Sequence, residues 1–437
     1  MLLRFRVANH HSIRDVAELS LASVNLTGTR PADGDWVAAT TRVAGIYGAN
    51  ASGKSNLLDA LHFAGSAVRN SATAWGGEDT FPHHPFALDE ASRTRTSLYE
   101  FDLVASEVRY TYGFESAPDG IHKEWLYSYP TGRKRVLFER SGLTGDEIEF
   151  GRHLPGENMR IARLMRPNSL YLSTARNSNH EFLSRIYLWF RNAINYAAFT
   201  EMDKQSRLQW IHTVLEHPQK AAQVVEMLKF ADLGIVNLTL ETEELDERTK
   251  SLISDLLKLL EGVAPPPKMS VEDILENISK KISFTHVGAG SKTFSLPLSR
   301  ESSGTVAWLS LVVPALIALE YGQVLVVDEL DSSLHPRLAA ALVSMFKDPK
   351  LNPRGAQLIF TSHDTNLLEH LAGPALSRDE VWFTEKAPDG ATELFALTEF
   401  PGRPTDNIER RYLQGRYGAV PMVSPDDLHA AVLRQDR

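Results

Sequence analysis

Gly48-Ala49-Asn50-Ala51-Ser52-Gly53-Lys54-Ser55 follows the pattern G-x-x-x-x-G-K-[S/T], that of a phosphate-binding loop. Glycines let the backbone curl until successive N–H groups point inward at phosphate oxygens. A helix beginning at the loop adds the positive end of its dipole to the same anion. Lys54 is placed to reach the β- and γ-phosphates, and the Ser55 hydroxyl to complete the shell of a Mg²⁺ ion. The flanks agree: Val43–Tyr47 reads as a short buried strand, and the residues from Asn56 onward begin an amphipathic helix. A glycine turn that matches by accident is the plain alternative, and the strand–loop–helix setting counts against it.

Composition narrows the classes. The chain has 437 residues, 43% hydrophobic and 23% charged, which suits a folded globular protein of one large domain with an insertion or of two or three domains. It has no cysteine, so disulfides, thiolate metal sites and cysteine nucleophiles are excluded. Charge sits in the first residues where a signal peptide needs an apolar run, and no stretch approaches the ~18 apolar residues of a membrane span. A cytoplasmic location is the expectation. The net charge of −9 argues against an electrostatic trap for DNA, although Arg133–Arg191 holds 11 Lys/Arg against 6 Asp/Glu. An arginine-rich solvated face accounts for that segment more simply than a nucleic-acid contact.

Along the chain, Leu2–Leu21 alternates as early strands do. Residues 70–96 read as loop. Ser97–Glu115 forms two alternating runs about Ala105-Ser106-Glu107, a β-hairpin continued by Ile121–Pro130 into a small antiparallel sheet. From about Leu154 to Leu260 the pattern is helical, as in Glu181–Tyr196 and Gln219–Phe230, until Val263-Ala264-Pro265-Pro266-Pro267 breaks it. No heptad run indicates a long coiled coil. From about Ser295 α/β alternation returns. The expected division is 1–150, an insert at 151–290 that is mainly helical, and 291–437.

The second half supplies partners for the loop. Val324-Leu325-Val326-Val327-Asp328-Glu329 is the profile of a buried parallel strand with carboxylates at its C-terminal edge. Asp328 suits the metal side and Glu329 the polarising of a water. Glu301-Ser302-Ser303-Gly304-Thr305 precedes a predicted helix over Val306–Leu319. Leu330-Asp331 follows the acids, and Gln357–Thr361 is a second buried strand running on to His363.

This order resembles the ABC-type ATPase heads of the SMC/RecF-like group: phosphate loop, signature, aspartate–glutamate strand, D-loop, switch histidine. Phe5–Ile13, Glu301–Thr305, Asp328–Pro336 and Arg411–Pro421 further resemble one prokaryotic branch, the AAA15/AAA21-type ATPases. The resemblance implies an α/β head with an antiparallel β subdomain and an inserted helical subdomain, taking ATP and Mg²⁺. It implies that Gly48 to Ser55 with Asn56 bind the triphosphate, that Ser55 and Asp328 hold the metal, and that Glu329 is the general base. It further implies that Ser302, Ser303 and Gly304 face the γ-phosphate of a second subunit, that Asp331 lies at the dimer interface, and that His363 hydrogen-bonds the γ-phosphate.

Two departures stand out. No glutamine occurs before Gln205, so the glutamine usual between loop and signature is missing from its place, for which His83, His84 or a water is the candidate replacement; the signature has Ser303 and Thr305 where a second glycine and a glutamine are usual. Relatives of this kind imply a homodimer or higher homo-oligomer closing over ATP, a separate nuclease-like effector, possible DNA contact and a role in anti-phage defence. A DNA-repair or chromosome-associated ATPase is the alternative. A fused nuclease lacks its spaced acidic motif, and a transporter subunit lacks a coupling segment. The tail Asp406–Pro421, with Arg410, Arg411, Arg416 and two tyrosines, is read either as a docking segment or as a surface strip packed on the head.

Overall fold

The computed structural model describes residues 1–23, 26, 28–77, 79–197, 201–231, 233–242, 246–248, 250–252, 255, 280–332, 334–369, 376–403 and 406–421. Val263–Pro267, the expected helix breaker, lies outside them. The chain forms two compact units. One comprises Met1–Tyr196, Ile317–Asp331 and Ala339–Arg437; the other comprises Ala197–Leu316 and Ser332–Leu338.

The first unit is built on two sheets. Its seven-stranded sheet runs β2 (Ala17–Ser20), β1 (Leu2–Ala8), β4 (Ser97–Ala105), β5 (Val108–Ala117), β6 (Gly120–Ser128), β7 (Arg135–Ser141), β8 (Ile148–Phe150), every pairing antiparallel. The expected hairpin is there: β4 and β5 meet over Ser106 and Glu107, both at positive φ (48° and 61°), the primed geometry that matches strand twist. The sheet is not small, however, because β1 and β2 join it. That follows from the alternation of β1, whose Phe5 and Val7 are buried between less buried neighbours.

The six-stranded sheet runs β16 (Thr392–Ala396), β15 (Val381–Lys386), β3 (Val43–Gly48), β14 (Gln357–Thr361), β13 (Val324–Val327), β9 (Ile194–Ala197). The neighbours β15, β3, β14 and β13 are parallel, and β16 is an antiparallel edge. Their apolar runs are buried throughout over β3, β13 and β14, as strands covered on both faces must be. Helix α1 (Lys54–Asn70) starts at the phosphate loop and contributes Leu57, Leu58, Leu61 and Val68 to one continuous core. That core also takes Phe5 and Phe101 from the antiparallel sheet and Ile46, Val326 and Ile359 from the parallel one.

Short α2 (Glu90–Thr94) sits within the expected loop, capped by the Asp89 carboxylate accepting from Ser92 N. Helices α3 (Asn158–Ala162), α4 (Tyr171–Asn177) and α5 (Glu181–Asn192) all belong to this first unit. Where the sequence reads as helix through Tyr196, α5 ends at Asn192 and the chain turns into β9.

The second unit carries α6 (Glu201–Leu215), α7 (Pro218–Phe230) and the start of α8 (Ser303–Tyr321). It also holds a three-stranded antiparallel sheet, β10 (Ile235–Thr242), β11 (Lys280–Val287), β12 (Thr293–Pro297), two of whose strands fall in the insert expected to be mainly helical. Trp308 of α8 is fully buried and donates its Nε1–H to Met227 O at 3.0 Å. Contrary to the reading of the sequence, α8 is long and apolar enough by length and composition to cross a membrane. Trp308, Leu309, Leu311, Val312 and Val313 are nonetheless wholly enclosed by protein, as in the core helix of a folded domain. Helices α9 (Pro336–Lys347) and α10 (Ile408–Leu413) follow later in the chain.

A nucleotide-type cavity at the edge of the parallel sheet

The parallel register brings three strand ends together. Thr361 at the end of β14 lies opposite Ile46 of β3, and Thr384 of β15 lies opposite Gly48. Around these ends lies a cavity of about 430 Å³, lined by Asn50, Ala51, Ser52, Gly53, Lys54, Ser55 and Asn56 together with Glu329, His363 and Lys386. That volume falls in the range of ligand sites, roughly 300–1,000 Å³.

The loop is shaped by glycine at two positions. A Cβ on Gly48 would stand 2.4 Å from Thr384 O. Gly53 has φ 106°, and a Cβ there would stand 2.1 Å from Thr392 Oγ1. Hydroxyls pin the loop from beneath. Ser52 Oγ pairs with Thr384 Oγ1 at 2.6 Å, Thr392 donates to Ser52 O at 2.8 Å, and Asn56 donates to Ser12 Oγ at 2.6 Å. Ser12 and Thr392 are themselves hydrogen-bonded at 2.7 Å.

Lys54 is buried, with its ammonium donating to Gly48 O at 2.8 Å and Ala49 O at 3.0 Å. Burial lowers its pKa from the ordinary lysine value, while the carboxylates of Asp328, Asp331 and Glu329 pull the other way. The ammonium thus lies curled over the loop, within the acidic field of the strand ends.

Ser55 donates to Asp328 Oδ1 at 3.1 Å, so the two expected metal-side groups already meet. A hydroxyl beside a carboxylate is a hard oxygen pair, and it fits Mg²⁺. Thr361 holds the acids in place. Its hydroxyl donates to Asp328 Oδ1 at 2.6 Å and accepts the Glu329 N–H at 2.7 Å. Glu329 sits at φ 52°, a left-handed conformation uncommon for a residue with a side chain, and its carboxylate is exposed to the cavity. Asp331 accepts from His363 N at 3.2 Å. Burial and then the Lys54 charge lower the pKa of His363, against the pull of the three acids. That direction favours the neutral imidazole, which has one donor and one acceptor nitrogen.

Phosphate loop, Asp328, Glu329, Asp331 and His363 are gathered in the first unit. Ser302, Ser303 and Gly304 belong to the second, at the start of α8. There Ser302 caps the helix, its Oγ accepting Thr305 N at 3.1 Å, which leaves Ser302 and Ser303 facing solvent. Beside it Glu301 Oε1 meets His286 Nε2 at 2.7 Å.

His83 and His84, offered for the missing glutamine, do not line the cavity. His84 stacks on His11 instead. Lys386 and Thr361 were missed in the sequence. Nothing local marks Lys386, the last residue of β15; Thr361 ends a recognisable strand, but its partners lie 32 and 33 residues away.

A family described as an AAA domain, putative AbiEii toxin, type IV TA system, matches residues 43–369. No curated protein matches the sequence at a significant level. Solved structures that match include the SMC head domain from Thermotoga maritima, 13% identical with a TM-score of 0.36, over 90% of this chain and 98% of that one. An SMC head bound to the C-terminal winged-helix domain of ScpA matches at 12% identity and a TM-score of 0.39, over 90% and 97%. An SMC head with an extended coiled coil, bound to a ScpA domain from Pyrococcus furiosus, matches at 12% and 0.34, over 91% and 97%.

Proposed function

The chain belongs to this AAA-domain family, and on that premise we propose that it binds ATP with Mg²⁺ and hydrolyses it to ADP and phosphate. The observation that carries the reading is the convergence on one cavity of a phosphate loop with Glu329, His363 and Lys386. Backbone N–H groups of Gly48 to Ser55 and the start of α1 receive the phosphates, with Asn56 at the rim. Lys54 exchanges its bonds to Gly48 and Ala49 for phosphate oxygens. Ser55 and Asp328 would hold Mg²⁺, which when bound neutralises charge on the β- and γ-oxygens. Glu329 takes a proton from the attacking water; the new bond forms to the γ-phosphorus and the bond to the bridging oxygen breaks. His363 steadies the γ-phosphate with its N–H.

The proposal extends to two copies. Ser302, Ser303 and Gly304 would complete the γ-phosphate site of a partner copy through a helix N-terminus, with Asp331 at the contact, so that closing and opening follow the nucleotide. In a cell we propose a sensor or scaffold switch in prokaryotic anti-phage defence, acting on a separate nuclease-like effector from the cytoplasm. The family's description as a putative toxin of a toxin–antitoxin system supports that setting.

The test is Glu329→Gln with ATP, in which binding survives and hydrolysis stops. Sedimentation of this variant should show a dimer or higher oligomer that ADP does not support; no shift in mass would end the two-copy reading. A pull-down from the host during phage challenge separates the settings, since repair or replication proteins in place of a nuclease would end the defence reading.

A further inference from the structure

We infer that His10, His11 and Asp59 bind one divalent transition-metal ion, at a site distinct from the Ser55–Asp328 pair. One ligand atom from each lies within 4.8 Å of the others. His10 Nε2 is 2.8 Å and His11 Nε2 3.3 Å from the same Asp59 Oδ2. Ligand atoms around a tetrahedral ion with bonds of about 2.1 Å stand roughly 3.4 Å apart, so shifts of ~1 Å close the set. Two imidazoles and one carboxylate are donors for a borderline ion such as Zn²⁺.

The backbone is bent to present this set. Side chains of consecutive residues in a strand point to opposite faces. Here Asn9 (φ 57°) and His11 (φ 49°) adopt the left-handed conformation without being glycine. The turn is closed by reciprocal bonds of 2.8 Å between the backbones of His10 and Ile13. Adjacent histidines thereby reach one carboxylate. Asn9 braces the turn, its Nδ2 donating to Ser92 O, Arg95 O and Thr96 O and its Oδ1 accepting Phe86 N. A hydrogen bond to Asp59 would need only one imidazole, yet the turn brings two to the same carboxylate oxygen.

An outer shell is already in place. His10 Nδ1 lies 2.8 Å from Tyr99 Oη; with its proton on Nδ1 the ring donates to Tyr99 and leaves Nε2 free for a metal. His84 stacks on His11, ring centroids 5.1 Å apart, and its carbonyl accepts the His11 N–H. His10 is fully enclosed, whereas the side chains of His11 and Asp59 are 41% and 46% exposed, which gives an entry path and room for water ligands.

Untagged full-length protein stripped with a chelator and titrated with Zn²⁺ against a chromophoric indicator should bind one ion per chain. His11→Ala and Asp59→Asn, both at half-exposed positions, should lose that ion. Tyr99→Phe should weaken it about 10- to 100-fold, and Lys54→Ala should leave it intact. Co²⁺ in place of Zn²⁺ should give a visible absorption band absent from the two ligand variants. Wild-type uptake no greater than that of folded His11→Ala or Asp59→Asn overturns the inference, as does loss of the ion in Lys54→Ala.

Discussion

Thr361 does more for the cavity than its short side chain suggests. One hydroxyl fixes both the Asp328 carboxylate and the backbone of Glu329. Thr361→Val keeps the shape and deletes both bonds, leaving a part-buried N–H without a partner at a cost of about 1–3 kcal/mol. Hydrolysis should fall by an order of magnitude or more while ATP binding, measured by fluorescent-nucleotide titration, changes little. Lys54→Ala should instead abolish binding itself, and hydrolysis with it. Gly53→Ala tests the loop geometry: its methyl would collide with Thr392, and the strained φ adds roughly 1–3 kcal/mol. Nucleotide binding should be lost together with a lower melting temperature.

At the scale of elements, Gln357 joins the two sheets of the first unit. From the start of β14 its buried amide accepts Leu2 N at 2.7 Å and donates to Leu2 O at 2.8 Å, tying β14 to β1 across 355 residues. Gln357→Leu leaves two buried backbone groups unpaired, about 1–3 kcal/mol each. Urea unfolding should show a midpoint shift of that size, with nucleotide affinity affected only through stability. Strands of this kind were largely legible in the sequence. β3, β13 and β14 are apolar runs ending in glycine, acids or a histidine, and that local pattern survives any tertiary context. The sheet of β10, β11 and β12 was not legible. β12 is mostly exposed and β10 buries only Ile235 and Leu238, so neither shows an alternation strong enough to stand out. Lys386 and Thr361 escaped for a different reason, since their roles arise from strand register and from partners distant in sequence.

For the molecule as a whole, the tail offered two readings, and its tyrosines belong to the packed one. Tyr412 and Tyr417 are buried and stack on Phe383 of β15 at 5.2 and 5.6 Å. Truncation after Glu399 should therefore uncover one face of the parallel sheet and lower the melting temperature by several degrees. A truncated protein of unchanged melting temperature would show that this stacking contributes nothing to the fold.

The place of β3 in its sheet sets a timetable for the chain's own synthesis. The strand that carries the phosphate loop is flanked on both sides by β14 and β15, which begin at Gln357 and Val381. At about 5–20 residues per second, a ribosome that has made the loop needs roughly 15–70 s more to reach those neighbours. For that interval β3 has neither flanking strand, and a chain released early has a loop with no sheet to hold it. On the proposed function, a product terminated before Gln357 should therefore fail to bind ATP, whereas one that extends through β15 has both flanking strands.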